Sequence, residues 1–179
     1  PIHEHQIFSE SGNSHLGKIV NCWLEVKRHL NTISQQAPQP TTYQLIELFN
    51  KRMKCQVRPL DWAAHFLNPL NIHSPTTIEQ QSAAFHYMNQ FAPSRDIAVR
   101  AQRDFFTYQG RFGPFSVSNV SWKFEDPLTF WYAQQGFIPE LANIAIRLFR
   151  TPANSVSSKR SFAVQNLIHN KFSNRLHPT

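Results

Sequence analysis

Apolar residues recur at steps of three and four along most of the chain, and clusters of proline, glycine and small polar residues interrupt them, a pattern that predicts consecutive helices. In "SHLGKIVNCWLEVKRHLNTI", Leu16, Ile19, Val20, Trp23, Leu24 and Leu30 mark a first helix. The connector "SQQAPQPTT" follows, with Thr41 or Thr42 as the expected cap of "YQLIELFNKRM", whose apolar side is Leu45, Ile46, Leu48 and Phe49. "LDWAAHFL" makes a short apolar helix that Pro59 opens and the Asn68-Pro69 pair ends. Serine and threonine caps then introduce a helix carrying Ile78, Ala84, Phe85, Met88 and Phe91, stopped by Pro93. Ser94 begins another, with Ile97, Ala101, Phe105 and Tyr108 as its stripe and Gly110 as its stop.

"FSVSNVSW" has the look of a short strand, but Gly113, Pro114 and Asn119 around it predict a loop with apolar anchors. Asp126 caps "PLTFWYAQQG", with Pro127 at the first helical position and Gly136 as the stop. Pro139 and Glu140 open the next helix, which keeps Leu141, Ile144, Ala145, Leu148 and Phe149 on one face and ends before Pro152. A last helix is predicted over "FAVQNLIHNKF", with Val164, Ile168, Phe172 and Leu176 at four-residue steps. With helices throughout and no pair of strands, the expected fold class is all-α.

Composition agrees with a folded domain, since 41% of the 179 residues are hydrophobic and 13% aromatic. Charge adds a hint of partners: the formal net charge is +7, and no acid follows Glu140 whereas Arg147, Arg150, Lys159, Arg160, Lys171 and Arg175 do. Such a surface attracts polyanions, with a solvated helical face as the equally weighted plain reading. Cys22 and Cys55 offer neither metal-ligand spacing nor a disulfide framework, which points to a reducing intracellular compartment. No apolar run reaches the ~20 residues that span a bilayer, so no membrane partner is expected. His3, Glu4, His5 and His15 read as an exposed terminal segment rather than a metal site, and Cys55, His65 and His73 as ordinary core and surface content. The opening "PIHEHQIFSESGN" resembles a cut inside a larger protein.

The last segments carry a resemblance. They combine a Trp after an Asp-Pro start, a "P-x-L-A-x-I-A" helix, the small-residue turn "TPANSVSS", the basic-aromatic "KRSF" and "IH-x-K-x-x-NRL" in one order. That series resembles the C-terminal dimerisation region of hAT-superfamily DNA transposases. "LDWAAHFLNP" is similar to a segment of the helical insertion that interrupts the catalytic core of those proteins. The resemblance is dense over 94–179 and thinner before. It implies a helical fragment of a ribonuclease H-like transposase: residues 1–93 resembling the end of the insertion region, and residues 94–179 the dimerisation region with the C-terminal helices of the catalytic core. The family cleaves and joins DNA with Mg²⁺ held by three carboxylates, because hard cations that clamp both oxygens of an in-line phosphoryl displacement need anionic oxygen donors.

Here the chain departs from the family. The turn is usually followed by "S-E-R-x-F", with the Glu as last metal ligand, whereas this chain reads Ser158, Lys159, Arg160, Ser161, Phe162. A cation also breaks a local rule, since the start of a helix favours acids. Lys159 at the Glu position removes a ligand and repels a metal ion; one unit charge at ~4 Å is worth about 4 kcal/mol at an effective dielectric of ~20. The family's first two aspartates have no counterpart in this chain. The expectation is therefore a protein that is not itself an enzyme, with no catalytic residue, no metal site and no Mg²⁺ cofactor.

The resemblance also implies partners and places. Phe130, Trp131, Leu141, Ile144, Leu148 and Phe162 are the expected dimer interface, although sequence does not divide such aromatics between core and interface. Arg147, Arg150, Arg160, Lys171 and Arg175 are the expected nucleic-acid contacts. The leading function is a transposase-derived helical interaction and dimerisation module without catalysis, whose partner is a second copy or another protein. The alternative is a DNA-binding portion of a transposase. Both imply the nucleus.

Overall fold

The computed structural model describes residues 16–74, 77–116 and 126–151. Its helices begin where local chemistry favours them. α1 (Leu16–Gln36), α2 (Pro40–Gln56), α3 (Pro59–Leu67), α4 (Ile78–Phe91), α5 (Arg95–Gln109), α6 (Pro127–Gln134) and α7 (Pro139–Phe149) are joined by short connections, with 3₁₀ turns at Pro69–Asn71 and Gly113–Phe115. No strand occurs among the described residues, and the chain is all-α there. α2, α3, α6 and α7 each start on a proline, whose missing N–H is one that a first turn leaves unpaired in any case.

Side-chain caps supplement the prolines. Thr77 Oγ1 accepts from Gln80 N at 3.3 Å while Gln80 Oε1 accepts from Thr77 N at 3.0 Å, a reciprocal capping box. Ser94 Oγ accepts from Ile97 N at 3.3 Å. Asp61 closes the start of α3 by accepting from Arg58 N at 2.8 Å. Asp126 accepts from Leu128 N, Thr129 N and the Thr129 hydroxyl. Replacing Asp126 with alanine is expected to lower stability by about 1 kcal/mol, read as a shift of the urea midpoint, while Asp126→Asn keeps most of it. The expected cap at Thr41 or Thr42 is corrected: the N-cap residue is Gln39, two or three residues earlier, it makes no side-chain cap, and α2 starts at Pro40.

α1 and α2 form an antiparallel hairpin. Val20 near the start of α1 clusters with Met53 and Val57 at the end of α2, and the Trp23 and Phe49 rings lie 5.3 Å apart, so one register falls as the other rises. α2 packs chiefly on this one neighbour. Only its Ile46–Phe49 side is covered, and Leu45 and Leu48, expected on the buried side, are exposed. Ile78 and Phe91 likewise fall outside the core, where Tyr87 takes a place beside Ala84 and Met88.

The main core runs through α1, α3, α4, α5, α6 and α7. Tyr108 is its centre: ring centroids of Trp131 and Phe115 stand 5.0 and 5.2 Å away, and Phe130 meets Trp131 edge-on at 5.2 Å. Trp131 Nε1 donates to the Leu67 carbonyl at 2.7 Å, satisfying the indole where water is excluded. A polar hub sits beside it. Asn71 Oδ1 accepts from Asn21 Nδ2 at 2.9 Å, and Asn71 Nδ2 faces His65 Nδ1 at 3.1 Å, which ties α1 to α3 and the 3₁₀ turn after it. The boundary drawn at 93/94 falls in the connection between α4 and α5, and residues on both sides of it contribute to this one core.

That core claims most of the side chains expected between copies. Phe130, Trp131, Leu141 and Leu148 are fully buried in the chain and Ile144 nearly so. They hold α6 and α7 onto the rest of the molecule, because aromatic and aliphatic stripes at helical spacing serve the nearest apolar surface first, and of the five Ile144 also lines a surface groove.

Candidate self-association surface

The outer side of α6 and α7 is built from what the core leaves over. Gly136 and the turn before Pro139 reverse the chain, and with Leu141, Ala142, Ile144, Ala145, Ile146 and Leu148 buried, Asn143, Arg147 and Arg150 face out. Gln135 Nε2 donates to Asn143 Oδ1 at 2.8 Å and clamps the turn to α7. Phe137, in that turn, is 74% exposed.

Beside Phe137 lies an open groove of about 450 Å³ between the end of α4, the start of α5 and α7. Phe91, Pro93, Ile97, Pro139 and Ile144 give it apolar walls, and Glu140, Asn143 and Arg147 edge it. Two polar contacts fix its shape. Arg100 Nε donates to Glu140 Oε1 at 2.9 Å across α5 and α7, an exposed pair worth at most about 1 kcal/mol but sufficient to orient both side chains. Arg147 donates to the Phe91 carbonyl at 3.3 Å, placing a cation on the last residue of α4, where the helix dipole is negative. Burial raises the pKa of the Tyr87 phenol, and the Arg147 charge opposes that shift.

Of the expected nucleic-acid contacts, Arg147 and Arg150 are exposed but engaged within the chain. Arg150 donates to the Tyr132 hydroxyl, and its guanidinium carbon lies 5.6 Å from the centre of that ring. Lys159, Arg160, Phe162, Lys171 and Arg175 lie outside the described residues, as do His3, Glu4, His5 and His15. Cys22 is half-buried, Cys55 is exposed, and both are unbridged thiols. Among the described residues no three His, Cys, Asp or Glu side chains come together as a cation site. No helix among them is long and apolar enough to cross a membrane.

Sequence reasoning missed Phe137, Phe91, Pro93 and Ile97 as surface features. One signal was present: Phe137 stands between a stop glycine and a starting proline, off every helical stripe, and a large aromatic placed there has no helix face to bury it.

Compared with known protein families, residues 113–179 match the hAT family C-terminal dimerisation region. No curated protein and no solved structure matches the chain.

Proposed function

We propose, for a chain that carries a hAT-family C-terminal dimerisation region over residues 113–179, that it is a self-associating helical module of a transposase-related protein, without strand cleavage of its own. The family match is the observation that carries this reading. It is supported by the surface just described, which adjoins α7, a helix inside the matched region. On this reading the helices before residue 94 derive from the insertion of a ribonuclease H-like core and those after it from its C-terminal part. The protein would work in the nucleus, where transposase-related proteins meet chromosomal DNA.

Loss of cleavage rests on Lys159 in the place where the family keeps a metal-binding Glu, a substitution that exchanges a ligand for a repelling charge. The protein carrying this chain is expected to show no Mg²⁺-dependent nicking of DNA, and cleavage equal to that of its Lys159→Glu form would refute the assignment. Self-association is checked by light scattering on the 179-residue chain: the expected mass is twice the 20.8 kDa of one copy, and a single-copy mass at every concentration would reject it.

A specific observation favours DNA as a second kind of partner. α1 and α2 hold six cations, Lys18, Lys27, Arg28, Lys51, Arg52 and Lys54, against the two acids Glu25 and Glu47. A hairpin so charged suits phosphate contacts, and its affinity for duplex DNA should fall steeply with salt. Absence of binding at low salt would dispose of it.

A further inference from the structure

We infer that Phe137 of one copy seats in the groove beside α7 of a second copy, reciprocally, so that the two form a two-fold dimer through the outer faces of their α6–α7 hairpins. This rests on the self-association reading above and specifies the surface that performs it.

Three observations converge. Phe137 is 74% exposed in a turn tightened by hydrogen bonds from Phe137 N and Ile138 N to the Gln134 carbonyl, each 3.0 Å, so the ring is held outward on a short rigid base. A ring so placed loses little freedom on docking and buries about 150–250 Å² when it does. The groove is the second observation: about 450 Å³, walled by Phe91, Ile97 and Ile144, open to solvent and edged by the Arg147 guanidinium, which can meet an incoming aromatic face. Third, knob and hole adjoin, because Pro139, two residues after Phe137, lines the groove. A two-fold axis between a knob and its own neighbouring hole brings each knob to the partner's hole, which is the condition for a closed, self-complementary contact.

The occupant is a second copy because this surface is continuous with the region matched to dimerisation. Phe137 and five of the groove's lining residues, Pro139, Glu140, Asn143, Ile144 and Arg147, fall within residues 113–179. Two seated rings supply about 300–500 Å². The remainder of a stable interface of about 1,200–2,000 Å² comes from the surrounding outer faces of α6 and α7.

The test compares the 179-residue chain with three variants by sedimentation equilibrium, with far-UV circular dichroism to establish that each is folded. Phe137→Ser removes the knob at an exposed site. Asn143→Arg fills the groove mouth from an exposed position and brings a second cation to Arg147. Phe137→Leu keeps an apolar knob. The expected result is a dimer whose dissociation constant rises about tenfold or more in the first two variants and little in the third. A photo-crosslinking phenylalanine analogue at position 137 should attach to the partner's segments 91–97 or 139–147. A dimer unaffected by Phe137→Ser and Asn143→Arg overturns this inference and leaves self-association standing. A chain that is monomeric throughout overturns both.

Discussion

Trp131→Ala is expected to destabilise the folded chain by about 4 kcal/mol, a large part of the roughly 5–15 kcal/mol that separates a typical domain from its unfolded state. The ring is fully buried against Tyr108, Phe115 and Phe130, so truncation leaves a cavity that three aromatic neighbours fill only in part. A second loss adds to it. The indole N–H that donates to Leu67 O at 2.7 Å disappears, and the carbonyl at the end of α3 loses this donor in a place shielded from water. Trp131→Phe separates the two effects, since it keeps most of the ring area and loses the donor; it should cost about 1–3 kcal/mol from the orphaned carbonyl beyond its smaller packing loss. Urea unfolding followed by circular dichroism gives both numbers, and an alanine variant within 1 kcal/mol of the parent would be incompatible with this packing. The contact also has architectural weight. It fastens α6, inside the matched stretch 113–179, to α3, outside it, so the stability of that stretch depends on helices that precede it.

How much of this was legible in the sequence follows from the range over which each feature is decided. Thr77, Ser94 and Asp126 act on backbone groups two or three residues away, and each caps where its position in the sequence says it should. Proline at a helix start is equally local, and it placed the start of α2 ahead of Thr41. Burial is decided elsewhere. Leu45, Ile46, Leu48 and Phe49 are all apolar on a short stretch, and only the position of Trp23 on α1 selects the side that holds Phe49 and leaves Leu48 to solvent. Trp131 and Leu148 met the same ambiguity: apolar periodicity states that a face is covered without naming what covers it, and here their own chain does so. Charge was legible as composition but not as geometry. Nothing local to Arg147 or Arg150 places the first on the Phe91 carbonyl or the second against Tyr132, because those partners are 56 and 18 residues away.

Acid should unfold the chain through His65 in a way its variants reveal. The ring is buried, and burial lowers its pKa from 6.5 to about 4. Its surroundings are made for the neutral form. Nδ1 faces the Asn71 amide nitrogen at 3.1 Å, a donor, so Nδ1 is the acceptor and a proton there would bring two donors together. Between pH 6.5 and about 4 the unfolded chain therefore binds a proton at this residue that the folded chain refuses, and the unfolded state is favoured increasingly as pH falls. The contribution is fully present above about pH 6.5 and declines by about 1.4 kcal/mol per pH unit, to a total near 3 kcal/mol at pH 4. Asp104 works in the opposite direction, since burial raises its carboxyl pKa and the folded state takes up that proton first. The comparison that isolates His65 is therefore one of slopes. His65→Gln keeps a polar side chain near Asn71 but cannot titrate, so urea unfolding at half-unit steps from pH 7 to 4 should show a flatter fall in the variant, whatever its stability at pH 7. Parallel curves for the two proteins would mean that the imidazole is already charged, or reached by water, in the folded state.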